Sequence, residues 1–176
     1  QGILEGRNTF TNILKYIKIT ASSNFGNILS IVIASAFLPF LPMTSVQLLL
    51  LNLLYDVLCF ILPWDNVDEE ETLEPKDWSG KTLGRFMLSF GPISSVFDLV
   101  TFVFLYFFLC PKMCGGVTYM HLSDPLLQLQ YVAVFQTGWF LESMWTQVLI
   151  LHFLRTRKIP FIQSRPSLPV IVITLA

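Results

Sequence analysis

Asn52 and Asp56 stand four positions apart in Asn52-Leu-Leu-Tyr-Asp56, in the middle of an apolar run over residues 46–64. On a helix, positions i and i+4 share a face, so a side-chain carbonyl and a carboxylate point the same way with Tyr55 beside them. Such oxygen donors are ligands for hard cations. Holding a charge inside hydrocarbon costs roughly 2.5–3.5 kcal/mol even on lenient insertion scales, so an acid in such a run calls for a function and a partner.

Candidate partners precede and follow it. An earlier apolar segment opens with Thr20-Ala-Ser-Ser23-Asn24-Phe-Gly26-Asn27, which places Asn24 and Asn27 on one helical face. Alone, these residues read equally well as the small and polar contacts that join membrane helices. Opposite Asn52 and Asp56 across a hairpin, the two amides become the second wall of a cation site. A later run carries Gln136, Glu142, Ser143, Thr146 and Gln147 at helical spacing. Glu142 reads either as a ligand, direct or outer-shell, or as a protonated carboxyl bonded to a neighbouring helix. Asp98, in Ser94-Ser-Val-Phe-Asp98, reads as a helix-to-helix hydrogen bond. The candidate metal-binding set is therefore Asn24, Asn27, Asn52, Asp56 and Glu142. Cys110 and Cys114 flank Pro-Lys-Met with His121 nearby. A disulfide is allowed there and not demanded, and a zinc site would lack its fourth ligand.

The elements that must position these residues are membrane helices. The 176 residues are 53% hydrophobic and 13% charged, with a mean hydropathy of +0.63, too apolar for an ordinary soluble domain. Four runs, 19–41, 46–64, 86–109 and 126–154, approach or exceed the ~20 residues a crossing needs. The expected fold is an all-α membrane protein of four transmembrane helices plus the start of a fifth. Residues 1–18 form a stalk helix, with apolar Phe10, Ile13, Leu14 and Ile17 at helical spacing. Pro39 and Pro42 break the chain before the second span, so residues 19–64 form a tight transmembrane hairpin. Residues 65–85 form an acidic loop, either a divalent-cation collecting patch or a segment kept soluble by charge. Residues 86–154 form a second helix pair with an outer loop at 110–125. Residues 155–166 are a basic loop, and 167–176 begin a further span. Without an initiator Met or a signal-peptide pattern, the chain reads as a piece of a longer polypeptide.

Charge sets the expected orientation. Ten of the eleven Lys and Arg residues fall before the first span, between the second and third, or after the fourth, and only Lys112 lies on the other side. Alternating crossings then place the N-terminus and both loops in the cytoplasm.

Taken together, Glu5-Gly-Arg7, the 20–27 segment, Leu51-Asn52-Leu-Leu-Tyr-Asp56 and Leu62-Pro-Trp-Asp65-Asn-Val-Asp68 resemble the C-terminal membrane region of P-type cation ATPases. Gly84-Arg-Phe-Met, Phe90-Gly-Pro-Ile-Ser-Ser95, Gln136-Thr-Gly-Trp-Phe-Leu-Glu142 and Arg155-Thr-Arg-Lys-Ile-Pro-Phe-Ile-Gln-Ser164 look like the bacterial magnesium-importing branch. The resemblance implies the fifth to eighth helices of a ten-helix transport domain, with the ninth beginning at the end. It makes Asn24 and Asn27 the fifth-helix site residues, Asn52 and Asp56 the sixth-helix ones, and Glu142 an eighth-helix candidate. Where the calcium branch has a fifth-helix Glu this chain has Asn27, and where it has a Thr before the sixth-helix Asp this chain has Tyr55. Fewer anionic ligands suit Mg2+, which dehydrates reluctantly and keeps several of its waters.

The implied function is the cation-translocating part of an ATP-driven Mg2+ importer in a bacterial inner membrane. Mg2+ is the transported ion, and ATP acts only through domains outside this chain. The phosphorylation sequence Asp-Lys-Thr-Gly-Thr and a nucleotide-binding domain are absent from the sequence, so the chain alone would be inactive as an enzyme. The expected partners are the bilayer, the remaining domains of the parent ATPase and a divalent cation, with no nucleic acid. A passive channel, an ion-coupled carrier or another P-type branch such as a Ca2+ ATPase are the alternatives, and a non-transporting membrane scaffold is a third class.

Overall fold

The computed structural model describes residues 2–72, 79–156 and 158–175. The acidic loop's Glu74, Pro75, Lys76 and Asp77, together with Trp78 and Arg157, lie outside the described residues. Among those described, helices dominate and the sole β-pairing is an isolated bridge between Pro160 and Ser164.

Helix α1 spans Gly2–Phe37, 36 residues without a proline, so the stalk and the first span are one rod about 54 Å long at ~1.5 Å per residue. It stops just before Leu38-Pro39, since a residue preceding proline is driven out of the helical region. Helix α2, Ser45–Cys59, starts at a capping box: Gln47 N–H donates to Thr44 Oγ1 at 3.3 Å and Thr44 N–H donates to Gln47 Oε1 at 2.9 Å. These bonds satisfy donors that the first helical turn leaves open. The helix ends five residues short of 64, because Pro63 cannot donate and the chain tightens into a 3-10 turn at Leu62–Trp64.

Helix α3, Gly80–Phe104, accommodates Pro92 and runs on through a π turn at Leu105–Leu109 into α4, Cys110–Met113. Helix α5, Pro125–Leu154, is capped by Asp124, whose Oδ1 accepts from Leu126 N–H at 2.9 Å with Pro125 at the first helical position. Helix α6 is Leu168–Leu175.

The tightest packing joins α1 to α3 through small residues. A Cβ on Gly91 would lie 2.4 Å from Phe25 Cδ1, and one on Gly26 would lie 3.3 Å from the Gly91 carbonyl oxygen. Small residues let two backbones approach closely where both helices face lipid and water cannot drive them together. A second close approach sits at the π turn, where a Cβ on Gly138 would meet Leu105 Cδ2 at 2.6 Å. Val32, Leu49, Val57, Val100 and Phe108 are exposed, the surface a lipid-facing bundle presents. Among the described residues, three helical stretches are long and apolar enough to cross a membrane: α1, α2 with its turn to Trp64, and α3 through Met113. Helix α5 has the length, at 30 residues, and carries Gln128, Gln130, Gln136, Glu142 and Gln147 along it.

Cys110 and Cys114 are buried free thiols. They belong to an apolar cluster that includes Ala34, Leu51, Phe102, Tyr131, Phe135 and Trp139. A second cluster, toward the end of the bundle rich in Lys and Arg, gathers Ile19, Tyr55, Cys59, Leu62, Leu151 and Val170.

Candidate polar site within the membrane bundle

The two apolar clusters bracket a polar layer. Helix α1 contributes Ile19 to one cluster and Ala34 to the other, α2 contributes Tyr55 and Leu51, and α5 contributes Leu151 and Trp139. Between those positions lie Asn27 on α1, Asn52 on α2, and Ser143 and Gln147 on α5. Asn27, Ser143 and Gln147 are 6%, 3% and 4% exposed. Asn27 Nδ2, Asn52 Oδ1, Ser143 Oγ and both amide atoms of Gln147 are enclosed without a hydrogen-bond partner. Buried polar side chains in folded proteins nearly always have a partner, so a layer of open donors and acceptors suits a polar guest. Amides can present either oxygen or nitrogen by turning over. A cation with some of its own waters would satisfy the oxygens among them.

Helical geometry sorts the rest of the sequence-predicted set. On α2 the buried stripe is Leu51, Tyr55 and Cys59. Asn52 and Asp56 sit one residue further round, about 100° away. Asn52 is half-buried and Asp56 is exposed, so the carboxylate opens to the outer side of α2. Tyr55, expected beside the pair, lies on the buried stripe and packs with Ile19 and Cys59, and its hydroxyl too is enclosed without a hydrogen-bond partner. Asn24 is half-buried, one turn from Asn27.

Asp98 on α3 and Glu142 on α5 form a second polar group between those helices. Asp98, 3% exposed, accepts from Ser30 Oγ at 2.5 Å through Oδ2 and from Trp139 Nε1 at 3.0 Å through Oδ1, tying α1, α3 and α5 together. This is the helix-to-helix role expected of it. Glu142 accepts from Thr146 Oγ1 at 2.6 Å and interacts with the Asp98 carboxyl. Its Oε2 is enclosed without a hydrogen-bond partner.

The acidic segment after α2 is largely tied down. Asp65 meets Arg155 at 2.7 Å with both side chains 1% exposed. Thr156 Oγ1 donates to Asp68 Oδ2 at 2.6 Å, Lys158 meets Glu70 at 3.0 Å and Lys15 meets Glu71 at 2.9 Å. Burial pushes the Asp68 carboxyl up, but the hydroxyls of Thr156 and Ser164, helped by Lys15 and Lys158, outweigh it and hold Asp68 below its ordinary 3.8. These four acids therefore bind neighbouring elements, a role that neither the cation-collecting nor the merely solvated reading anticipated. A cavity of about 890 Å³ opens nearby between α1, α3 and α5, lined by Lys15, Lys18, Arg85, Phe86 and Phe153 among others. It is separate from the polar layer.

Gln147 and Ser143 carry more of the polar layer than sequence reasoning assigned them. The signal was present: the buried residues of α5 include Tyr131, Phe135, Trp139, Ser143, Gln147 and Leu151, one every fourth position. Glu142 is one step along the helix from that stripe and half-buried. Among the described residues no three His, Cys, Asp or Glu side chains gather closely enough to hold a metal ion, and the layer is built from amides and a hydroxyl.

Residues 40–176 match the family model for the cation transporting ATPase C-terminus. Over 175 residues, 99% of this chain, the sequence is 50% identical to a magnesium-transporting ATPase, P-type 1, of Salmonella typhimurium and 49% identical to that of Escherichia coli K12. A calcium-transporting ATPase of Bacillus subtilis is 31% identical over 110 residues, 59% of the chain. The chain spans 18% of the length of the magnesium-transporting relatives and 12% of the calcium-transporting one.

Proposed function

The chain belongs to the cation-transporting P-type ATPases, as part of their C-terminal membrane region, and from that premise we propose that it forms one wall of the cation path of an ATP-driven Mg2+ importer. The observation that carries this reading is the layer of unpartnered side-chain atoms on Asn27, Asn52, Ser143 and Gln147, held between two apolar clusters. Asn24 and Asp56 flank the layer, and Asp56 supplies its negative charge at the outer side of α2. We assign Glu142 to the Asp98 group beside the path.

One carboxylate among several neutral oxygen donors fits Mg2+ better than Ca2+. Mg2+ is bound through one or two carboxylates while retaining waters, whereas Ca2+ gathers six to eight oxygens. The magnesium-transporting names of the Salmonella and Escherichia relatives agree with this choice. In the proposed pump, ATP is hydrolysed by domains outside these residues, α1 carries their movement inward, and the basic end of the bundle lies in the cytoplasm of a bacterium. Magnesium uptake by the full-length parent tests the site. Asp56→Asn is expected to abolish uptake at limiting Mg2+ while the protein still reaches the membrane, and wild-type uptake by that variant would sink the assignment.

A further inference from the structure

Asp65 is a three-way joint at the foot of the helix that carries Asn52 and Asp56. Its backbone carbonyl accepts from Asn12 Nδ2 of α1 at 3.1 Å, and the same amide also reaches the Pro63 carbonyl at 3.2 Å. Its Oδ2 accepts from Arg155 Nη1 at 2.7 Å, and its Oδ1 accepts from the Ser167 N–H at 3.0 Å. Arg155, the first residue beyond α5, sends its other arm to the Ser164 carbonyl at 2.5 Å. The segment leaving α2 is thus gripped from the α1 side by Asn12 and from the α5–α6 turn by Arg155.

The ion pair is buried to 1% on both sides. Two charges withdrawn from water gain little over an apolar pair in stability, but they fix geometry strictly, because a displaced partner leaves a buried charge uncompensated. The planar fork of Arg155 meets Asp65 with one arm and Ser164 with the other, a span that a lysine cannot reproduce. Asp65 lies nine residues after Asp56, and the short link through the Leu62–Trp64 turn leaves little slack between joint and site.

We propose that Arg155 is a positioning residue: clamping Asp65 to the α5–α6 turn, it holds the foot of α2 so that α1 movement reaches the Asn52–Asp56 face. This rests on the transport reading above. The clamp fixes one side of the segment while Asn12 moves with the other, and α2 shifts along its axis. Without the clamp, α1 drags the loop and the helix stays behind.

The full-length parent, reconstituted in vesicles, tests this with Arg155→Lys, Asp65→Asn and Asn12→Leu, the last leaving no buried charge and so safest for folding. Mg2+ moved per ATP hydrolysed is expected to fall roughly tenfold in each, within the range by which single sites in coupled networks act, while ATP hydrolysis persists. Wild-type stoichiometry in a folded variant, or ATP hydrolysis and transport falling in parallel, would overturn the proposal. Backbone hydrogen exchange needs no activity and separates the two readings. Residues 55–64 are expected to exchange roughly tenfold faster in Arg155→Lys while α3 is unchanged, the mark of local release. Unaltered exchange at 55–64 overturns the clamp whatever the transported ion proves to be. Wild-type protein without Mg2+-dependent ATP hydrolysis refutes the transport reading, and exchange then decides the clamp alone.

Discussion

Replacing Gln147 by leucine should move stability and transport in opposite directions, which no purely structural role for this residue can do. Gln147 is 4% exposed and neither of its amide atoms has a hydrogen-bond partner. Enclosing an amide without compensation costs about 1–3 kcal/mol on protein mutational scales, and leucine fills a similar volume with apolar surface. With no bond to lose, Gln147→Leu should leave the cation-free protein as stable as wild type, or up to about 2 kcal/mol more stable. If the amide oxygen binds a partly hydrated cation, its loss forfeits an interaction worth at least about 1.4 kcal/mol, so KM for Mg2+ should rise tenfold or more. The full-length protein in detergent gives the thermal midpoint without Mg2+, and vesicle uptake gives KM. A variant destabilised by more than about 1 kcal/mol with an unchanged KM would refute the reasoning, because the amide would then be bonded within the protein.

Asp98→Ala should be destabilising, since Ser30 Oγ and Trp139 Nε1 both donate to that carboxylate and would be left buried at about 1–3 kcal/mol each. A thermal midpoint equal to wild type would contradict its role as the knot of α1, α3 and α5. Asp68→Asn should cost stability in a pH-dependent way. Because the folded carboxyl is held below 3.8, the advantage of wild type over this variant is complete well above 3.8 and fades as pH falls through the lower folded value. Parallel midpoint-against-pH curves for the two proteins would show that Thr156 and Ser164 do not hold the ionised form.

The long apolar runs and the prolines and capping residues that punctuate them are local properties, and the sequence carries them plainly. Pro39 ends α1, Thr44 with Gln47 starts α2 and Asp124-Pro125 starts α5, each through backbone chemistry within a few residues. The intramembrane polar residues stand out too, because any charge or amide in such a run is conspicuous. Their assignment to partners was not legible. Asp98 and Glu142 differ little as sequence, yet one ties three helices together and the other sits beside it. Asp65 looked like one more acid of a solvated loop, and it is among the most buried charges in the molecule.

What the sequence alone determined is the class of the protein, the C-terminal membrane region of a cation-transporting ATPase, with an amide-rich, carboxylate-poor helix pair at Asn24, Asn27, Asn52 and Asp56. Hydropathy and motif spacing depend only on neighbours along the chain. Only the tertiary structure decided that Gln147 and Ser143 lie in the polar layer, that Tyr55 is buried against Ile19, and that Arg155 meets Asp65 at the foot of α2. Those outcomes depend on how each helix is rotated about its axis and how far apart the axes lie. One step along a helix turns a side chain by about 100°, and packing between helices, such as the contact of Gly26 with Gly91, fixes which step faces inward.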